Sequence, residues 1–171
     1  MHRKSVIGAT SGAFAVALVA VLVGQSAPVL ADANTNLSLT ASVSVNCTIS
    51  TQTLAFGGYD PVVTHASANL DGQGTVTIAC TKGSVTPIDL DLGSNETGTT
   101  RRLADGSNYL SYELYQNAGR TTVWGEGAAG VTPSAAPDRT ARDFNVYGRI
   151  AGGQDVPEGS YADTVNATVN F

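Results

Sequence analysis

The sequence predicts an all-β sandwich, and three observations carry that expectation. Apolar and polar residues alternate with period two wherever the chain is regular, which is the pattern of a half-buried strand. The alternating segments are short and are separated by turns containing Gly, Asn and Pro. Charged residues make up only 13% of the chain. Gly, Ser, Thr and Asn fill the polar positions instead, and all four are weak helix formers.

The first residues are set apart from the fold. Arg3 and Lys4 precede an apolar run from about Ala13 to Gly24, followed by small residues at Ala31-Asp32-Ala33 or Val29-Leu30-Ala31. Basic, apolar and small in that order is a secretory signal peptide. The run is shorter than the roughly 20 residues of a spanning helix. Residues 1–33 are therefore expected to be removed, and no membrane insertion is expected elsewhere. Removal takes away Arg3, Lys4 and Asp32, leaving 7 basic and 13 acidic residues of the original 9 and 14. The resulting net charge of −6 argues against nucleic acid or an anionic membrane as a partner.

The elements follow in order. From Leu37 to Ile49 the odd positions are Leu37, Leu39, Ala41, Val43, Val45, Cys47 and Ile49, with Ser, Thr or Asn between them. This reads as one long strand with an apolar and a polar face. Val76, Ile78 and Cys80 share a face in Thr75–Cys80, and Ile88, Leu90 and Leu92 share one in Pro87–Leu92. There Asp89 and Asp91 are expected to point outward. Leu110, Tyr112 and Leu114 form the next inward set, and Thr121–Trp124 is expected to pair after the Asn117-Ala118-Gly119 turn. Phe144, Val146 and Ile150 make another strand. The last runs from Tyr161 to Phe171, with Val165, Ala167, Val169 and Phe171 on one side. About seven strands result, in one domain, with Gly57–Asp71 and Gly125–Ala141 as surface loops.

The two cysteines, Cys47 and Cys80, both lie in the exported part. An even count in an oxidising compartment points to one disulfide. Closing that loop is worth about 4 kcal/mol on the loop-entropy model. Two buried free thiols are the alternative. Zinc is disfavoured, because two thiols and His65 cannot supply four ligands.

Catalytic chemistry finds little support, and no cofactor is expected. His65 is the one histidine after the leader, in a loop without a flanking motif, and reads as a solvated loop residue. Asp89 and Asp91 fall two apart on a strand, where outward charges belong anyway. Tyr109, Tyr115 and Tyr147 form an outward set that any half-buried sheet surface favours.

The chain ends are more informative. Leu37–Ile49 holds no charge and no proline, the devices that normally protect an exposed strand edge. The final strand is expected to close the domain at Phe171. Strand addition between chains is a physical use for such edges.

At this point a family resemblance emerges. Phe56-Gly57, Thr75-Val76-Thr77-Ile78-Ala79-Cys80, Leu110-Ser111-Tyr112-Glu113-Leu114-Tyr115 and Trp124-Gly125 resemble the spore coat protein U domain family. So do Phe144-Asn145-Val146-Tyr147-Gly148-Arg149-Ile150, Gly159-Ser160-Tyr161-Ala162-Asp163-Thr164-Val165 and Thr168-Val169-Asn170-Phe171. The similarity covers essentially all of 34–171.

The family includes subunits of archaic, Csu-type chaperone–usher pili. The resemblance therefore implies an incomplete immunoglobulin-like sandwich of about seven strands, completed by a donor strand. Residues 34–46 would be the N-terminal donor strand, with Leu37, Leu39, Ala41, Val43 and Val45 as donor residues. Residues 47–171 would be the sandwich domain, with Val165, Ala167, Val169 and Phe171 on a terminal strand beside the acceptor groove. The implied partners are a periplasmic chaperone, an outer-membrane usher and neighbouring subunits, identical or related. The implied role is a shaft or adaptor subunit of a surface pilus in adhesion and biofilm formation, exported through the periplasm to the cell surface. A secreted coat protein of the same fold, or a self-completed monomeric binding domain, are the alternatives.

Overall fold

A computed structural model describes residues 32–171. The expected leader therefore lies outside the described residues, apart from Asp32 and Ala33. Of the first of two units, which ends at Thr40, the described residues 32–40 are exposed and carry no regular secondary structure. The second unit, Ala41–Phe171, holds all the described strands.

These strands are β1 (Cys47–Gln52), β2 (Leu70–Cys80), β3 (Ile88–Leu90), β4 (Arg101–Asp105), β5 (Asn108–Tyr115), β6 (Arg142–Ile150) and β7 (Ala167–Val169). They form a five-stranded antiparallel sheet in the order β1-β2-β6-β5-β4 and a two-stranded sheet of β3 and β7. Val76, Ile78, Leu110, Tyr112, Leu114, Val146 and Ile150 from the large sheet pack with Ile88 and Leu90 from the small one. The inward sets expected from period-two alternation in β2, β3, β5 and β6 are thus the core. The molecule is an all-β sandwich.

Cys47 and Cys80 are directly opposite in the β1–β2 register and are joined by a disulfide. Their Cα atoms are 4.1 Å apart. The bridge anchors the edge strand β1, whose remaining residues are all exposed.

Two groups tie the sheets together. Trp124 is fully buried; its indole N–H donates to Ile88 O on β3 at 2.9 Å, and its backbone N–H to Leu114 O on β5 at 2.9 Å. Arg101 on β4 is only 1% exposed. Its guanidinium donates to the carbonyls of Leu90 at 3.0 Å, Asp91 at 2.7 Å and Trp124 at 2.9 Å, and pairs with Glu113. A buried cation is tolerated only when its donors are satisfied this completely.

Glycines shape the inner face of the large sheet. Gly72 and Gly148 are register partners on β2 and β6. A Cβ on Gly148 would stand 2.7 Å from the Phe56 ring, and one on Gly72 would stand 2.9 Å from Leu54. A side chain at Gly148 would have to displace the Phe56 ring, and one at Gly72 would have to push the end of Leu54 aside. Leu54 and Phe56, carried by the segment after β1, fill the slot, and Phe56 meets Tyr112 edge-on at 6.0 Å.

Several expectations need correction. The long first strand starts only at Cys47, because residues 37–46 have no strand alongside them. Thr121–Trp124 contributes a single bridge, Tyr115 to Val123. β4 was not expected, since its most deeply buried residue is an arginine. His65 lies in the Gly57–Asp71 loop but is buried, at 8% exposure. It stacks on Tyr59 and its Nδ1 accepts the Asp60 N–H at 2.8 Å, so it organises the loop from within. Asp89 and Asp91 are half-buried rather than free outward charges. Asp89 accepts from the Asn170 side chain, and Asp91 from the backbone and side chain of Asn166. They lace the terminal segment onto β3.

Three outcomes follow from these contacts. Cys47→Ser is expected to lower the unfolding free energy by about 2–5 kcal/mol in urea titrations of the oxidised protein; an unchanged midpoint would mean that β1 is held without its bridge. Arg101→Ala should cost about 3–5 kcal/mol, because it orphans three buried carbonyls and leaves Glu113 alone. Glu113→Gln should cost clearly less, and equal losses would show that the ion pair, not the carbonyl clamp, dominates. The Asp91 carboxyl lies below its ordinary value: burial alone would raise it, but donors from Asn166 and Gly93 together outweigh burial. Its contribution is present at neutral pH and is lost as pH falls through that lowered value. Asp91→Asn should flatten the acid limb of a stability–pH profile, and an unaltered limb would contradict this.

Candidate functional site

Four strand edges are left by a five-stranded and a two-stranded sheet, and two of them are partly covered. Val131 exchanges backbone hydrogen bonds with Ile88 on β3, at 2.8 and 2.9 Å. Ala162 does the same with Ala104 on β4, at 2.9 and 3.0 Å. The outer edges of β1 and β7 have no strand partner among the described residues.

Between these two edges the sandwich is open. One lobe of the opening, of about 330 Å³, has Thr51, Leu54 and Phe56 on one wall and Val165 and Ala167 on the other. Val76, Tyr112, Leu114 and Val146 form its floor. A second lobe of about 730 Å³ is bordered by Tyr59, Pro61, Val156 and Tyr161. Thr53, Leu54, Phe56, Leu103 and Asp163 border both lobes, which therefore adjoin. The two adjoining lobes form an open groove region of mixed lining, walled on one side by a segment of period-two alternation. From Tyr161 to Val169 the odd positions are half-buried and the even ones exposed.

Among the polar residues that border the groove, one pair is hydrogen-bonded across it. Tyr112 donates its hydroxyl to Asp163 Oδ2 at 2.6 Å. Asp163 Oδ1 accepts the Ser94 N–H at 3.0 Å and the Asn95 side-chain amide at 2.9 Å. Burial first, and then this bond to Asp163, push the Tyr112 phenol well above its ordinary value, so the hydroxyl keeps its proton and remains a donor.

The residues expected from sequence are distributed as follows. Val165 and Ala167 border the groove. Val169 is half-buried against the core, and Phe171 is 64% exposed. Leu37 and Leu39 are each 82% exposed and Val43 86%, while Ala41 is exposed and Val45 nearly half so. Leu54, Leu103 and Asp163 were not anticipated as groove residues. A usable signal existed for Leu54: the alternation Thr53-Leu54-Ala55-Phe56 continues past β1, opposite glycines at inward positions of β2 and β6.

Comparison with known proteins agrees with this architecture. Protein U of Myxococcus xanthus is 36% identical over an alignment 171 positions long, which covers 92% of this chain and 95% of that protein. The fold is similar to a chain of the chaperone–tip adhesion subunit pre-assembly complex CsuC–CsuE, from archaic chaperone–usher Csu pili of Acinetobacter baumannii, with a TM-score of 0.56. Identity to that chain is 20%, and the match takes in 76% of this chain but only 41% of the other. At that identity the likeness concerns the fold. The Spore Coat Protein U domain profile matches residues 33–168. With its motifs, its sandwich and nearly its whole length in agreement, the chain belongs to the Spore Coat Protein U domain family.

Proposed function

We propose that this protein is a pilin-like structural subunit that polymerises by strand donation, with Leu37–Val45 of one copy filling the groove between β1 and β7 of the next. The observation that carries this reading is a pair of complementary defects. The sandwich has an open apolar groove flanked by two unpaired strand edges. The same chain carries an uncharged segment whose odd positions are apolar, and those side chains are exposed.

Each defect is costly alone. Large apolar side chains left in water forgo about 1.5–3 kcal/mol apiece, and unpaired strand edges invite aggregation. A donated strand removes both at once. Leu37, Leu39, Val43 and Val45, with a smaller share from Ala41, would contribute on the order of ten kcal/mol before ordering costs. Main-chain hydrogen bonds to β1 and β7 would set direction. The product is a linear, head-to-tail fibre, because donor and acceptor are different surfaces.

This reading assigns the protein an assembly role rather than a catalytic one. Such a subunit needs protection of its groove before assembly, which fits a periplasmic chaperone that lends a strand and an outer-membrane usher that receives the complex. The subunit would then be displayed at the cell surface, in adhesion or biofilm formation. The complex named for the similar fold, a chaperone bound to a tip subunit, is consistent with this route. A coat layer built by the same strand exchange is the second reading, and the nearly full-length similarity to Protein U favours it. Electron microscopy separates the two, as filaments or as a continuous layer.

The exchange itself is tested by parity. Deleting 34–44 should leave export and folding intact and abolish polymerisation. Val43→Asp should do likewise, since it sets an unpaired charge into an apolar groove at a cost of several kcal/mol. Ser42→Asp, on the opposite face of the donated strand, should polymerise nearly as well as the parent chain. If Ser42→Asp proves as damaging as Val43→Asp, or if the truncated chain still forms fibres, the donor assignment is wrong.

A further inference from the structure

Histidine is the side chain whose charge ordinarily changes between about pH 5.5 and 8, since carboxylates titrate below that window and phenols above it. His65 is the one histidine after the leader, and it is buried. Its surroundings fit only the neutral ring. Nδ1 accepts the Asp60 N–H at 2.8 Å, so the imidazole proton is carried by Nε2. A second proton would go to Nδ1 and set a donor against a donor.

The loop around His65 borders the groove. Tyr59 and Pro61, on either side of Asp60, line the larger lobe. Tyr59 stacks on the His65 ring with centroids 5.0 Å apart. Its hydroxyl donates to Ala151 O at 3.1 Å and accepts the Gln154 N–H at 2.9 Å. Asp60 closes the turn: its carboxylate accepts the N–H groups of Val62, Val63 and Thr64, and its carbonyl accepts the His65 N–H at 2.8 Å. The donors from Val63, Thr64 and Val62 hold the Asp60 carboxyl below its ordinary value, so it stays ionised throughout the window. Among the described residues, the Asp60 carboxylate and the Tyr59 hydroxyl are the titratable groups that face His65. The Ala151–Gly153 turn packed on the loop contributes backbone alone, with the Gly153 N–H donating to His65 O at 2.8 Å. The next charge in that segment, Asp155, is exposed.

We propose that His65 is a pH switch on the groove: the neutral ring holds the Asp60–His65 turn and the Tyr59–Pro61 wall in place, and protonation releases them and weakens the hold on a donated strand. This rests on the strand-donation reading above and adds to it the condition under which the acceptor is competent. Protonation leaves the Asp60 N–H without its acceptor, which is costly for a buried donor. The Asp60 carboxylate can turn to the imidazolium only by giving up N–H groups that it already accepts, so either response opens the turn. Residues 34–46 carry no titratable side chain, so pH dependence of strand binding in this range belongs to the acceptor.

The test uses the full-length exported chain carrying Val43→Asp, which keeps it from polymerising, and a synthetic peptide of residues 34–46 with both ends blocked. Peptide affinity should fall about tenfold from about pH 7.5 to about pH 5.5, the scale of one lost hydrogen bond. In the same chain, NMR follows the His65 ring nitrogens and the Asp60 amide proton, and both should share the midpoint of the affinity profile. His65→Asn keeps an acceptor atom in place of Nδ1 but does not titrate, so its affinity profile should be flat. Equal affinity at both pH values, a profile that persists in His65→Asn, or an Asp60 amide that does not follow the His65 ring overturns the switch and leaves strand donation intact. The NMR curves need no change within the loop, so they decide alone should His65→Asn fail to fold. No peptide binding at any pH overturns both.

Discussion

A two-stranded sheet cannot cover a five-stranded one, and the rest of this structure depends on that mismatch. Burial of apolar area is the main favourable term in folding, and the inner faces of β2, β6 and β5 carry most of the apolar residues of the large sheet. β3 and β7 cover only part of it. What remains is met by irregular chain: Trp124 from one side, Leu54 and Phe56 from the other. The groove between β1 and β7 is the share of that face which nothing in the described unit covers.

A fold with such a gap must hold its shape without the strand that would fill it, and the strongest local contacts lie where that demand falls. The disulfide pins β1, an edge strand otherwise exposed along its length. Arg101 and Trp124 fasten the small sheet to the large one through backbone carbonyls, which constrain position more tightly than apolar packing does. The Asp89–Asn170 and Asp91–Asn166 bonds lay the terminal segment along β3. Both walls of the groove are thus held from outside it. On the strand-donation proposal, walls held in this way would be in place before a donated strand arrives, which lowers the ordering cost of binding.

Much of this was legible in the sequence because period-two alternation survives wherever inward residues are apolar. Val76, Ile78 and Cys80, the Leu110–Leu114 set and the β6 set were readable for that reason, as was the bridge between the only two cysteines. The failures share one cause. β4 was hidden because its most deeply buried residue is Arg101, whose charge is satisfied by carbonyls from elements far along the chain. The first half of β2 was hidden by Gly72 and Gly74, inward positions filled by Leu54 and Phe56 from elsewhere. His65 read as solvated because its partners are a backbone N–H and a stacked ring, neither visible as a motif. The groove was expected as a consequence of family resemblance, and the Tyr112–Asp163 hydrogen bond at its border was not, because nothing local joins residues 51 positions apart.

The central claim is that the space between β1 and β7 is a vacant strand position filled by another copy. Electron cryo-microscopy of the assembled protein, at a resolution that separates strands, tests this most directly. The account predicts a strand hydrogen-bonded to β1 and β7 in every subunit, with the side chains of Leu37–Val45 in the groove and its backbone traceable to the neighbouring copy. Density that leaves the groove empty, or that traces the filling strand back to the same copy, would contradict it.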